Sequence, residues 1–132
     1  MKEKLDLIFV YGTLLDDKNE FAVYLNRHCS FYADGKFKGL LYDIGEYPGA
    51  ILKADGNNFV FGSVFKMNDS ETVLKILDDY EGFGKDQPRP NEFIRELVAI
   101  KTDEKEMDCW VYLYNLPVEG LQPITSGDYL RY

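Results

Sequence analysis

Leu5-Asp6-Leu7-Ile8-Phe9-Val10-Tyr11 is a run of apolar, β-branched and aromatic residues, interrupted only by Asp6 and stopped by Gly12. Such side chains suit a pleated strand, and near-continuous apolarity requires cover on both faces. A strand of this kind belongs in the middle of a sheet. The rest of the chain must therefore supply flanking strands and a packed layer on each side.

The remaining pattern meets that demand. Asp17 with Glu20 three residues on has the form of a capping box, and Phe21, Tyr24 and Leu25 share one face of the helix that follows, which should end near Arg27 or His28. From Phe31 to Lys53 the chain reads as extended, punctuated by Gly35, Gly39, Gly45, Pro48 and Gly49, and predicts strands over 31–43 and 50–54. Gly56-Asn57-Asn58 is a turn signal. Phe59 to Met67 predicts another strand, in which Gly62 marks a bulge or a close approach to the backbone. A second helix opens at Asp69 or Ser70, carries an apolar stripe of Val73, Leu74, Leu77 and Tyr80, and stops at Gly82. Pro88 and Pro90 keep 83–92 a loop. Strands are predicted over 93–101 and 108–115, separated by the charged turn Asp103-Glu104-Lys105-Glu106, and 116–132 reads as irregular. Short turns between successive strands favour antiparallel or mixed pairing over a doubly wound parallel sheet. The expected fold is α+β, a small mixed β-barrel with two packed helices, in one domain over residues 1–132.

Charge narrows the function classes. The chain carries 15 Lys and Arg against 23 Asp and Glu, a net charge of -8, and has no basic run. Nucleic-acid affinity comes from cations that neutralise phosphates, so no nucleic-acid partner is expected. Anionic membranes are disfavoured for the same reason, and the first apolar run is too short to span a bilayer. Cys29 and Cys109 stand far apart with no metal-ligand spacing, which suits reduced thiols in the cytoplasm. The only histidine, His28, cannot anchor a multi-histidine metal site or most Ser–His and Cys–His schemes. A monomer is the default.

Four features can carry chemistry. Tyr11-Gly12-Thr13-Leu14 follows the buried strand, where consecutive free N–H groups can form an anion-binding nest, although a plain strand-to-helix turn reads the same way. Glu81 stands in the last helical turn, in Leu77-Asp78-Asp79-Tyr80-Glu81-Gly82. A helix C-terminus disfavours carboxylates, so an acid facing a cleft there should hold its proton toward neutral pH and serve as a general base, whereas solvated acids would be inert. Arg95 lies within a predicted strand and, if inward-facing, needs an anionic partner, either a structural acid or a substrate carboxylate. Tyr112 and Tyr114 fall on one face of the last long strand, lining a pocket or filling a core.

Taken in order, the blocks Val10-Tyr11-Gly12-Thr13-Leu14, Gly39-Leu40-Leu41-Tyr42-Asp43-Ile44-Gly45 with Tyr47-Pro48-Gly49, Gly62-Ser63-Val64-Phe65, Leu77-Asp78-Asp79-Tyr80-Glu81-Gly82, Arg95 with Trp110-Val111-Tyr112, and Ile124-Thr125-Ser126-Gly127-Asp128 resemble the γ-glutamylcyclotransferase-like superfamily, with a lean toward its AIG2-like and γ-glutamylamine branch. The chain departs from the pattern at Phe93, where the family often has Tyr, and at Tyr129, where Trp is common. The resemblance implies that an L-γ-glutamyl amine or amide cyclises on itself, releasing 5-oxoproline and a free amine, with neither metal nor cofactor. It implies Glu81 as the general acid/base, Tyr11, Gly12, Thr13 and Leu14 with Tyr112 around the substrate, and Arg95 and Tyr114 in structural or substrate support. A non-catalytic γ-glutamyl-binding protein is the alternative on the same scaffold.

Overall fold

The computed structural model describes residues 6–12, 20–45 and 47–129. Along the chain these form β1 (Leu7–Val10), α1 (Glu20–His28), β2 (Cys29–Asp43), β3 (Pro48–Leu52), β4 (Phe59–Met67), α2 (Ser70–Glu81), β5 (Phe93–Lys101), β6 (Glu106–Tyr114) and β7 (Gln122–Pro123). The sheet runs β3-β2-β4-β1-β6-β5, and a further β2–β5 pairing at Lys36 and Lys101 closes it into a barrel. The fold is the expected small mixed barrel with packed helices.

β1 occupies the middle of the sheet because nothing in it tolerates water. It pairs antiparallel with β4, from Leu7 opposite Lys66 to Val10 opposite Ser63, and parallel with β6 at Ile8 and Trp110. Its alternate side chains enter separate cores. Phe9 and Tyr11 join Phe37, Val60, Val64, Ile100 and Val111 inside the barrel. Ile8 and Val10 join Leu25, Phe65, Val73, Leu74, Leu77 and Tyr112 beneath the helices.

Several boundaries move from where pattern alone puts them. β2 starts at Cys29, directly after α1, and bulges between Phe31 and Ala33. β3 is shifted to Pro48–Leu52, because the Gly56 N–H donates to the Lys53 carbonyl at 3.3 Å and turns the chain there. β6 begins at Glu106, since the turn closes earlier: the Thr102 N–H donates to the Lys105 carbonyl at 2.9 Å. The cap expected at Asp17 lies outside the described residues. The tail is irregular apart from β7, yet it is held to the barrel. The Ile124 N–H donates to the Leu41 carbonyl and the Phe61 N–H to the Gly127 carbonyl, both at 2.8 Å.

Gly62 marks a close approach and not a bulge. A Cβ there would collide with the Val10 carbonyl oxygen and lie 2.8 Å from the Phe9 ring. Gly62→Ala should therefore destabilise the fold by about 1–3 kcal/mol or more, as overpacking does, read as a lower urea midpoint with an unchanged slope. Among the described residues, no helix is long and apolar enough to cross a membrane.

Candidate active site

β1 delivers Tyr11 and Gly12 to one end of the barrel. The buried Tyr11 hydroxyl donates to the Tyr112 carbonyl at 2.6 Å and accepts the Ala50 N–H at 3.2 Å, tying the end of β1 to β6 and β3. Burial, reinforced by the nearby Glu81 charge, raises the pKa of this phenol well above its ordinary value, so it stays protonated. Gly12 is required by packing: a Cβ would stand 2.7 Å from Pro48 Cγ.

α2 delivers Glu81. The Asp69 side chain caps its first turn by accepting the Thr72 N–H, and Gly82 ends it in the left-handed conformation at φ 73°. The Phe83 N–H then closes back on the Asp78 carbonyl at 2.9 Å. The stop is sharp, and it leaves Asp78, Asp79 and Glu81 together in the last turn.

Their side chains have different fates. Asp78 is clamped from the sheet. Arg95 donates to it from Nε at 2.7 Å and from a terminal nitrogen at 3.1 Å, and the Tyr112 hydroxyl donates to it at 2.7 Å. The Arg95 guanidinium also lies 4.5 Å over the Trp110 ring. Asp79 accepts from the Gln87 side chain at 3.0 Å. Glu81 lines a cavity of about 180 Å³, and no described residue donates a hydrogen bond to its carboxylate. Burial, with the Glu92 charge adding to it, pushes its pKa up to about 7. The carbonyl end of α2 acts in the same direction.

The cavity walls are the end of β1 through Gly12, then Tyr47 and Pro48, Tyr80 beside Glu81, Glu92 with Phe93, and Tyr112. The Tyr47 hydroxyl donates to Glu92 Oε2. Glu92 is fixed through its backbone as well, its carbonyl accepting the Asn115 N–H at 2.8 Å. The loop before it is organised by Asn91, which accepts the Gly84 N–H at 3.0 Å and donates to the Pro88 carbonyl at 3.0 Å.

Tyr11, Gly12, Glu81 and Tyr112 thus meet at one cavity. Arg95 does not line it, because its charge is spent on Asp78. Tyr114 packs edge-on against Phe93, with ring centroids 5.6 Å apart, and lies outside the lining. Thr13 and Leu14 lie outside the described residues. Tyr47, Tyr80 and Glu92 complete the walls without having been singled out as site residues. Tyr47 is visible in sequence only as part of the Tyr-Pro-Gly block before β3, and Glu92 carries no local signal. Tyr112→Phe should cost about 1–2 kcal/mol through the lost bond to a charged acceptor, measured as a fall in thermal midpoint.

The family model for gamma-glutamyl cyclotransferase, AIG2-like proteins matches residues 8–131. The chain belongs to this family. The gamma-glutamylcyclotransferase family protein YtfP of Escherichia coli K12 is 32% identical over 125 residues, 93% of this chain and 95% of its own length. The solution structure of the E. coli ytfP protein matches with a TM-score of 0.68 at 33% identity, over 94% of this chain and 96% of that one. A mouse AIG2-like protein matches with a TM-score of 0.66 at 22% identity, covering 87% and 82% of the two chains. YkqA of Bacillus subtilis matches with a TM-score of 0.71 at 23% identity; 96% of this chain spans 40% of that one. These last two likenesses speak to the fold. Membership of the gamma-glutamyl cyclotransferase, AIG2-like family supports a cyclotransferase-like function for the chain.

Proposed function

We propose that the protein cyclises an L-γ-glutamyl amine or amide, releasing 5-oxoproline and the free amine. One observation carries the reading: of the acids in the last turn of α2, Glu81 alone lines the cavity, and it holds its proton to about pH 7. A group poised there can take a proton and return it at neutral pH.

The α-amine of the substrate is protonated in water and cannot attack. Glu81 takes one proton from it. The amine nitrogen then bonds to the γ-carbonyl carbon of the same molecule, and the bond from that carbon to the leaving nitrogen breaks. Glu81 returns its proton to the departing nitrogen, and the second proton lost by the ring nitrogen follows it, so the amine leaves as an ammonium ion. Nucleophile and electrophile belong to one molecule, so much of the rate comes from holding a curled conformer. Gly12, with Thr13 and Leu14 after it, is the proposed grip on the α-carboxylate through backbone N–H groups. Tyr11 and Tyr112 act as walls, since both hydroxyls are bonded within the protein.

Incubation with a panel of γ-glutamyl dipeptides, glutathione, the γ-glutamyl-lysine isopeptide and γ-glutamyl amides, followed by mass spectrometry of 5-oxoproline, tests the reading. Release by the wild type that Glu81→Gln abolishes is the expected result. Heat of binding without release from any compound would favour a γ-glutamyl-binding protein on the same scaffold.

A further inference from the structure

In the proposed cyclisation the α-nitrogen sheds two protons, because it enters as an ammonium ion and ends as the ring N–H. Glu81 takes the first and hands it to the leaving nitrogen. The second comes off only after attack, when the ring nitrogen of the tetrahedral adduct is a cation. Glu81 already holds a proton at that moment, so a different acceptor is needed beside the same nitrogen.

Among the described residues, Glu81 and Glu92 are the only carboxylates that line the cavity, and no Lys, Arg or His lines it. The Tyr11 and Tyr112 hydroxyls donate within the protein, to the Tyr112 carbonyl and to Asp78. The Tyr47 hydroxyl donates to Glu92 Oε2. Burial, with the bond to Glu92 and its charge adding to it, raises the Tyr47 pKa, so Tyr47 remains a donor. Glu92 is thereby oriented through one oxygen, and no described residue donates to the other. Its backbone carbonyl is fixed by the Asn115 N–H.

The position suits the role. Gly12, the proposed grip on the α-carboxylate, packs so close to Pro48 that a Cβ would lie 2.7 Å from the proline Cγ. Tyr47 precedes Pro48 and crosses to Glu92. The α-carbon carries both the gripped carboxylate and the nucleophilic nitrogen, so these contacts lead from the grip to Glu92 on the side where that nitrogen lies. Glu81 also feels the Glu92 charge, so one nitrogen can address both carboxylates. Two carboxylates in one cavity repel each other, and an arriving ammonium ion offsets that repulsion.

Resting on the cyclisation reading above, we propose that Glu92, oriented by Tyr47, is a second catalytic base that takes the second proton from the ring nitrogen of the tetrahedral adduct. The proton passes to the open carboxylate oxygen of Glu92, and the N–H electron pair stays on nitrogen. The adduct then collapses: the carbonyl re-forms, and the bond from carbon to the leaving nitrogen breaks as Glu81 returns its proton to that nitrogen. Glu92 gives the second proton to the freed amine, which departs as an ammonium ion. Both carboxylates end as they began.

The test measures kcat for 5-oxoproline release at pH 8, on the panel compound that the wild type turns over fastest. The variants are Glu92→Gln, Glu92→Ala and Tyr47→Phe, with melting curves to confirm folding. At this pH Glu81 is largely ionised in wild type and variants alike, so a neighbour that acts only through its charge would change kcat by about threefold at most. Glu92→Gln keeps an acceptor for the Tyr47 hydroxyl but no basicity, and should lose about 10²-fold in kcat. Tyr47→Phe, which leaves the carboxylate without its orientation, should lose less. Glu92→Ala should be as slow as Glu92→Gln and recover in proportion to added acetate. Fluoroacetate, of similar size and equal charge but a weaker base, should restore far less, a difference that a structural role does not produce. A Glu92→Gln loss smaller than about tenfold overturns the assignment and leaves the reaction intact. Equal rescue by the two carboxylates, or none by acetate, does the same; if Glu92→Ala does not fold, the loss in Glu92→Gln decides. Absence of 5-oxoproline from the wild type on every compound overturns the reaction and this assignment together.

Discussion

Glu81→Gln is expected to lower kcat for 5-oxoproline release by about 10²–10⁴-fold, the usual contribution of a positioned acid/base. Gln preserves the size and the polar surface of the side chain but can neither accept nor return a proton. In the wild type, kcat/KM should rise about tenfold per pH unit below 7 and level off above it, because Glu81 must be ionised to act and its pKa is about 7. Glu92→Gln removes one cause of that elevation, so the midpoint should move to lower pH.

The same substitution carries a stability signature of known sign. Glu81 moves from an ordinary value of 4.5 to about 7 on folding. Below 4.5 both states hold the proton and no cost exists. Between the two values the unfolded chain gives up a proton that the folded protein keeps, and stability falls as pH rises. Above 7 the cost is constant, at about 3 kcal/mol for this shift. Glu81→Gln should thus raise the melting temperature at pH 8 and have little effect near pH 4, measured by thermal denaturation across that range. A variant that is inactive yet more stable is what a catalytic group placed against its own electrostatics produces.

Arg95→Ala is expected to destabilise the protein by about 3 kcal/mol, the scale for breaking a largely buried ion pair from one side. The Arg95 and Asp78 side chains are only 19% and 21% exposed, and two hydrogen bonds join them. Ala leaves Asp78 with the Tyr112 hydroxyl as its remaining described donor and removes the guanidinium from the Trp110 ring. The melting temperature should fall by roughly 10 °C for a chain of this size. Asp78 lies one helical turn before Glu81, so Arg95 holds the end of α2 against β5 and β6. A loss of kcat larger than the loss in substrate affinity is the expected kinetic companion. Arg95→Lys should recover little, because Lys lacks the planar fork that meets both carboxylate oxygens.

Much of this molecule is legible without coordinates. The buried character of β1 follows from Leu7 to Tyr11, where no polar side chain interrupts the run. The start and stop of α2 follow from Asp69 and Gly82, whose side-chain and backbone preferences act within a single turn. Glu81 draws notice because acids are costly at a helix C-terminus. The strand boundaries are less legible, because the turns at Lys53–Gly56 and Thr102–Lys105 are closed by hydrogen bonds that composition does not specify.

The distinction among the acids of α2 is a different matter. Asp78, Asp79 and Glu81 are equivalent as a local pattern. Only the approach of Arg95 and Tyr112 from 17 and 34 residues away commits Asp78, and only Gln87 engages Asp79. Glu92 reaches the cavity for the same kind of reason: a proline-containing loop returns to the sheet, Asn115 fixes its backbone, and Tyr47 crosses to meet its side chain. The sequence by itself determined the local elements, the central strand and the placement of an acid at a costly helix end, because propensity, periodicity and capping act over a few residues. The tertiary structure decided which acid faces the cavity and what shares it, because burial and pairing depend on residues that only closure of the barrel brings together.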